Sequence, residues 1–300
     1  MKKPVLVMAF ALITFLSNAQ IDSAQLLIDN IEAGLTYEQG QIQLANSIGT
    51  LNVPETFRYL DAAQSRYVLE DLWGNPQDSS VLGMIVPQGR GILADDAWAF
   101  IISYEEMGYV EDDDANDINY DDLLEEVRTD AVAENEFRTS AGYDPIEVVG
   151  WASQPFYDAD RKVLHWAKEI KFGENPDNTL NYNVRVLGRK GVLVLNAVSP
   201  MSELPEVKES ITPVLSSFTY SDGLRYSDFN PDLDEVAAWT IGGLVAGKVL
   251  AKAGFLAILL KYIKFIIIGL GAAGTAVWRW WKSRTTLPEV RNIEGDTRNS

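Results

Sequence analysis

The chain has 300 residues, a net charge of −18 at pH 7 and no cysteine. Without cysteine the protein forms no disulfides, has no thiolate nucleophile and does not bind zinc through sulfur. Its acidic charge disfavours nucleic acid as a partner, because the phosphate backbone would be repelled.

The first segment, residues 1–19, predicts a secretory signal peptide. Two lysines precede an apolar run over residues 5–16, and Ser17 and Ala19 are small residues at the two positions that a signal peptidase reads. We therefore expect a mature chain that begins at Gln20. The alternative is an uncleaved N-terminal anchor, although the apolar run is short for a membrane span.

The following body, residues 20–235, alternates between helix and strand patterns. Apolar residues at helical spacing predict helices, and alternating or β-branched runs predict strands. In chain order the predicted elements are a helix over 23–33, strands over 40–44 and 49–54, a helix over 62–73, strands over 81–86 and 98–105, a helix that starts after Asn119, strands over 148–151, 163–170, 180–187 and 191–198, a helix over 205–215, and a strand over 217–220.

The helix after Asn119 has a clear start signal. Asn119 can cap its N-terminus, and Asp121 and Asp122 lie in the first turn, where the helix dipole favours acids. Strands in runs with a few helices indicate an α+β fold with a mainly antiparallel sheet and flanking helices.

The C-terminal segment, residues 237–284, is apolar and basic. Glycines recur in it, and three tryptophans near its end are followed by basic residues, as at a cytoplasmic membrane interface. We predict a membrane-anchoring hydrophobic helix or helical hairpin, followed by a polar tail over 285–300. Residues 239–253 would alternatively lie along the membrane surface. A further alternative is a buried hairpin of a soluble protein.

Charge is distributed unevenly between these parts. Residues 20–235 hold 40 of the 43 acidic and 14 of the 25 basic residues, a net charge of −26, whereas the residues after 235 hold nine basic and three acidic residues, a net charge of +6. An acidic domain of this kind stays off anionic lipid while its basic anchor is attracted to it. With the signal peptide, this predicts a periplasmic domain anchored to the bacterial inner membrane.

An acidic run over residues 111–122 is a candidate cation site. Oxygen ligands two residues apart suit Ca²⁺, although the run lacks the glycine and the final glutamate of an EF-hand loop. The alternative is a solvated turn and a helix cap. The candidate metal ligands are Asp112, Asp113, Asp114, Asn116 and Asp117.

Two aromatic turns, residues 73–76 and 150–158, indicate a ligand or partner groove. Arg185 and Arg189 form a small basic cluster that would either pair with the acidic run or hold an anionic ligand. The alternative for the turns is ordinary core packing. The candidate groove residues are Trp73, Asn75, Trp151, Tyr157, Asp158, Arg185 and Arg189.

No catalytic residue is assigned. His165 is the only histidine, which excludes a multi-histidine metal site, and its strand-like surroundings predict a sheet-face side chain. A carboxylate pair such as Asp158 with Asp160 would suit a hydrolase that acts on envelope glycans, but the spacing does not single this pair out.

Several motifs of the body carry a family resemblance. They lie at residues 73–76, 83–87, 108–115, 122–124, 150–158, 181–191 and 223–226. Through them the chain resembles the uncharacterised membrane-anchored proteins of bacterial envelopes, a domain-of-unknown-function family. The resemblance implies an exported protein with a hydrophobic C-terminal tail and supplies no catalytic residue. The end of the body is also similar to domains of the photosystem oxygen-evolving subunit and nuclear transport factor Mog type.

These features predict a membrane-anchored envelope protein that acts as a non-enzymatic binding or interaction module. Its expected partners are the membrane and an envelope protein. Two alternatives stay open, a divalent-cation-responsive module that uses residues 111–122 and an envelope hydrolase with a carboxylate pair.

Overall fold

A computed structural model describes residues 25–249. The predicted signal peptide and most of the predicted hydrophobic helix or hairpin lie outside these residues. Among the described residues, no helix is both long and apolar enough to cross a membrane.

Ten strands and several helices follow one another in this part of the chain. They are α1 (residues 25–34), β1 (Gly40–Gln43), β2 (Gly49–Val53), β3 (Phe57–Asp61), α2 (Ala62–Arg66), a π-helical segment (Tyr67–Leu72), β4 (Val81–Pro87), β5 (Ala99–Glu105), α3 (Tyr120–Ser140), β6 (Ile146–Asp158), β7 (Val163–Phe172), β8 (Thr179–Leu187), β9 (Val192–Pro200), α4 (Leu204–Ser217), β10 (Phe218–Tyr220) and α5 (Ile241–Ala246).

The strands form two antiparallel sheets. The small sheet has the order β1-β2-β10, and the large sheet has the order β3-β4-β5-β9-β8-β7-β6. The predicted α+β fold with mainly antiparallel pairing is therefore confirmed.

One face of the large sheet carries the main hydrophobic core. The small sheet and α4 pack against this face, and α4 contributes Val207, Ile211 and Val214. Trp98 and Phe100 meet edge to face in the same core, with ring centroids 5.4 Å apart. Each fully buried side chain of this size contributes about 1.5–3 kcal/mol to stability.

The opposite face is covered near its two edges. At one edge α3 packs on β6 through Val127, Ala131 and Val148. At the other, the π-helical segment packs on β4 through Val68 and Met84. The middle of this face, formed by β5, β9 and β8, lies between the two covers.

Local capping explains where the helices begin. Asn119 accepts hydrogen bonds from the backbone N–H groups of Asp121 and Asp122, so the predicted start of α3 is confirmed. Asp61 caps α2 through the N–H of Gln64. The predicted helix over 62–73 is present, but its second half is π-helical.

Packing of the domain continues past residue 235. The backbone of Tyr109 exchanges hydrogen bonds with the carbonyl of Glu235 and the N–H of Ala237. In α5, Ile241 and Leu244 are buried in a cluster with Trp166 of β7. The first residues of the predicted membrane tail thus belong to the packed domain.

Candidate functional site

A row of polar side chains lies along β8 on the open face of the large sheet. Side chains alternate between the two faces of a strand, so Leu180, Tyr182 and Val184 enter the core and their neighbours do not. The row consists of Thr179, Asn181, Asn183 and Arg185.

A cavity of 540 Å³ opens over this row, walled by β5, β8, β9 and the loop after the π-helical segment. A second cavity of 800 Å³ adjoins it and shares Asn75, Phe172, Thr179 and Val198 with it. We call the two together the sheet cavity. Each has a volume within the range of about 300–1,000 Å³ that small-molecule sites occupy.

Arg185 supplies a positive charge to the sheet cavity. Its guanidinium lies 5.3 Å from the ring centroid of Trp166. Burial lowers the pKa of Arg185 to about 10, partly opposed by the charge of Glu105, so the side chain stays cationic at neutral pH. Among the described residues, no carboxylate lies within 4.0 Å of Arg185.

A second cation, Lys168 of β7, lies on the same face opposite Asn181. Burial lowers the pKa of Lys168, and the nearby charge of Arg185 lowers it further, whereas Glu134 opposes the shift. Beside them, Oδ1 of Asn196 is buried and accepts no hydrogen bond from the described part of the chain. A bound anion would reduce the repulsion between the two cations, and a hydrogen-bond donor on a ligand would satisfy the amide oxygen.

Arg185→Gln is expected to raise the free energy of unfolding by about 1 kcal/mol, because it removes a partly buried charge at the cost of a weaker contact with Trp166. The matched control is Arg161→Gln, which makes the same charge change at a side chain that is 59% exposed and should shift stability by less than about 0.5 kcal/mol. Urea unfolding followed by tryptophan fluorescence measures both. A clear loss of stability for Arg185→Gln alone would instead give Arg185 a structural role.

Three of the seven predicted groove residues line the sheet cavity, namely Trp73, Asn75 and Arg185. Trp73 is oriented by a hydrogen bond from Nε1 to the carbonyl of Ile92 at 2.9 Å. Asn75 donates from Nδ2 to the carbonyl of Leu69 at 3.1 Å, which ties the turn to the π-helical segment.

Two other groove candidates have packing roles away from the cavity. Trp151 donates from Nε1 to the carbonyl of Tyr120 at 3.1 Å and so fastens β6 to α3. Arg189 follows the end of β8 and pairs with Asp234 at 2.7 Å. The two arginines of the predicted basic cluster therefore lie at different places, and neither pairs with a described residue of the acidic run.

Asp158 stabilises the turn between β6 and β7. Its Oδ1 accepts the backbone N–H groups of Asp160 and Arg161 at 3.1 and 3.0 Å. His165 lies on the core-side face, where burial lowers its pKa and Nδ1 is 3.0 Å from the hydroxyl of Tyr182. The carboxylate of Asp158 therefore holds the turn, and the side chain of His165 has a structural partner in Tyr182.

Asp112 is the centre of a polar network. Its Oδ2 accepts hydrogen bonds from the hydroxyl of Tyr157 and from Nζ of Lys162, both at 2.7 Å, and its Oδ1 accepts from the hydroxyl of Tyr226 at 3.0 Å. Burial alone would raise the pKa of Asp112, but these three donors outweigh it and lower the pKa. The predicted groove residue Tyr157 therefore serves to dock the acidic run.

The rest of the acidic run is not gathered around one point. Asp114 accepts the backbone N–H groups of the first two residues of α5 at 3.1 and 3.2 Å, whereas Asn116 and Asp117 are exposed. Within residues 25–249, no group of three or more His, Asp or Glu side chains is placed to hold a metal ion. The run instead fastens the segment after Glu235 to the domain.

The sequence did not predict Asn181, Asn183 and Thr179 of the polar row, Asn196 of β9, or Lys168 of β7 on the same face. A signal for the first two is present in β8, where polar and apolar residues alternate strictly. Lys168 and Asn196 lie on neighbouring strands, and only the register brings them to the same place.

Fold and site together define an α+β domain with a polar cavity on one face of an antiparallel sheet, in which Arg185 lies among several acidic side chains. The chain belongs to the family described as "Protein of unknown function (DUF2167)", whose model matches residues 36–274. No curated protein matches the chain.

The chain is similar to two solved structures, at low identity and low TM-score. The solution structure of cyanobacterial PsbP from Synechocystis sp. PCC 6803 is 12% identical, covering 62% of this chain and 92% of that chain with a TM-score of 0.35. The Saccharomyces cerevisiae Ran-binding protein Mog1p is 10% identical, covering 66% of this chain and 100% of that chain with a TM-score of 0.33. Likeness at this level carries no inference about function.

Proposed function

We propose that this protein is a non-enzymatic binding module of the bacterial cell envelope and that the sheet cavity is its binding surface. The observation that carries the proposal is Arg185, a partly buried cation without an ion-paired carboxylate among the described residues of a strongly acidic domain. Such a charge lowers stability unless a partner neutralises it. Two segments that carry the family resemblance, residues 73–76 and 181–191, also supply residues to this cavity.

We further propose that residues 1–19 direct export and that the apolar part of residues 237–284 holds the domain at the periplasmic face of the inner membrane. The signal-like pattern and the contrast between an acidic body and a basic tail support this placement. The membrane and an envelope protein are the proposed partners. Protease added to spheroplasts should degrade the domain, and protection from it would overturn the placement.

The binding role is tested by a photo-reactive amino acid in place of Asn75, at the mouth of the sheet cavity. The control position is Val132, which is 71% exposed on α3. Irradiation of intact cells is expected to give a discrete adduct from position 75 that is lost when Arg185→Gln is added. Identical adduct patterns from both positions, unchanged by Arg185→Gln, would contradict the proposal.

A further inference from the structure

We infer that the sheet cavity binds the C-terminal carboxylate and last residues of an extended polypeptide. This inference rests on the proposed binding function and names the chemical class of its ligand. It is carried by three features: a guanidinium at one end of the polar row, amides at a two-residue spacing along it, and an elongated cavity above it.

The guanidinium of Arg185 is suited to a carboxylate. Its planar fork donates two parallel hydrogen bonds to two oxygens, a geometry that a carboxylate matches. The cation–π contact with Trp166, at 5.3 Å from the ring centroid, holds the guanidinium on this face. Lys168 on the next strand adds a second positive charge to the same face. An arriving carboxylate would relieve the repulsion between the two cations.

The spacing of the amides along β8 is suited to a peptide backbone. Asn181 and Asn183 are two residues apart on one strand face, roughly 7 Å, which is also the repeat of the outward-facing N–H and C=O groups of an extended chain. Asn196 lies directly opposite Asn183 and widens the row. Side-chain amides both donate and accept, as a peptide backbone requires.

The dimensions of the cavity also fit an extended segment. From Arg185 to Thr179 the row spans about 20 Å, calculated from the rise of a strand. At Thr179 the smaller cavity passes into the larger one, which continues along Phe172 and Met201. Apolar side chains such as Val194 and Val198 alternate with the polar groups and would contact the ligand's side chains.

The charges at the rim favour a carboxylate over a phosphate. Glu70, Asp78 and Glu105 line the smaller cavity, Asp95 and Asp177 line the larger one, and the whole body is strongly acidic. A doubly charged phosphate would meet about twice the repulsion that a singly charged carboxylate meets. The same acids would attract basic side chains in the ligand.

The test is calorimetric titration of the full-length chain in detergent with N-acetyl-Ala-Ala-Ala as the free acid, with its C-terminal carboxamide, and with inorganic phosphate. The free acid should bind roughly 10- to 100-fold more tightly than the carboxamide, the range expected for hydrogen bonds to a charged group. Arg185→Gln should remove this preference, and Arg161→Gln should leave it unchanged. Far-ultraviolet circular dichroism verifies that both variants fold.

Equal binding of acid and carboxamide, or a preference that survives Arg185→Gln, would overturn the inference. Phosphate binding tighter than that of the peptide acid would also overturn it and would point to a free oxyanion site. None of these results affects the crosslinking from position 75, so failure of the peptide inference is distinguishable from failure of the proposed function.

Discussion

Asp112→Asn is expected to lower the free energy of unfolding by about 3 kcal/mol. The carboxylate accepts hydrogen bonds from two tyrosines and a lysine that lie on separate parts of the chain. Hydrogen bonds to a charged group contribute about 1.5–3 kcal/mol each, and partial exposure of the Lys162 pair reduces its share. Urea unfolding at pH 7 measures the loss.

The pH dependence of this effect has a definite sign. The pKa of Asp112 is lowered in the folded state, so its contribution is complete above the ordinary aspartate pKa of about 4 and is lost as the pH falls through the lower folded value. The stability difference between the wild type and Asp112→Asn should therefore shrink below about pH 4.

Asp117→Asn is the control, since Asp117 belongs to the same run and is exposed. It should change stability by less than about 0.5 kcal/mol. Equal effects of the two substitutions would mean that the network around Asp112 contributes no more than an exposed acid.

Tyr220→Phe is expected to destabilise the domain by about 2 kcal/mol. The hydroxyl of Tyr220 accepts from the N–H of Leu193 at 2.9 Å and donates to the carbonyl of Val186 at 2.7 Å. These two residues face each other across β8 and β9, so the hydroxyl bridges the ladder next to Arg185. Removing it leaves a buried donor and a buried acceptor unsatisfied, each costing about 1–3 kcal/mol before relaxation.

Tyr67→Phe provides the comparison, because Tyr67 is 41% exposed and its hydroxyl can bond to water. Thermal unfolding of both variants should show a lower Tm for Tyr220→Phe alone. A loss of peptide binding in Tyr220→Phe at a temperature where it is folded would show that the bridge also positions β8.

Most of the fold was predictable because local pattern and tertiary structure agree. Helix α3 starts where its cap predicts, and the strands of the large sheet carry the expected β-branched residues. Strand β3 was not predicted from the sequence. Phe57 and Tyr59 alternate with Arg58, but buried Leu60 breaks the alternation after three residues, and the strand leads directly into α2.

The segment that leads to the tail could not be assigned from its sequence pattern alone. Residues 239–253 have the composition of a membrane-surface helix, whereas α5 ends after six residues and Gly247 follows in the left-handed conformation. A buried helix and a membrane-bound helix present the same apolar pattern. Long-range contacts decide between them, here Asp114 at the start of α5 and Lys248 paired with Glu126 of α3.

The site was partly predictable for a similar reason. Arg185 was predicted either to pair with the acidic run or to hold an anionic ligand, and it forms no ion pair with the described residues of that run. The two arginines were grouped because they are close in sequence. In the structure Arg185 lies within β8, whereas Arg189 follows the end of that strand and pairs with Asp234. Asn75 and Asn196 line one cavity because of the order of the strands in the sheet. Strand order cannot be read from a local sequence pattern.

The edge strand β6 has a consequence for neighbouring copies of the protein. It is 13 residues long, and its pairing with β7 shifts register at three places. Each shift bends the strand and interrupts the even row of N–H and C=O groups that an incoming strand requires, and Pro155 offers no N–H at all. When copies of the domain meet edge to edge, this irregular edge would keep such encounters from growing into aggregated sheets.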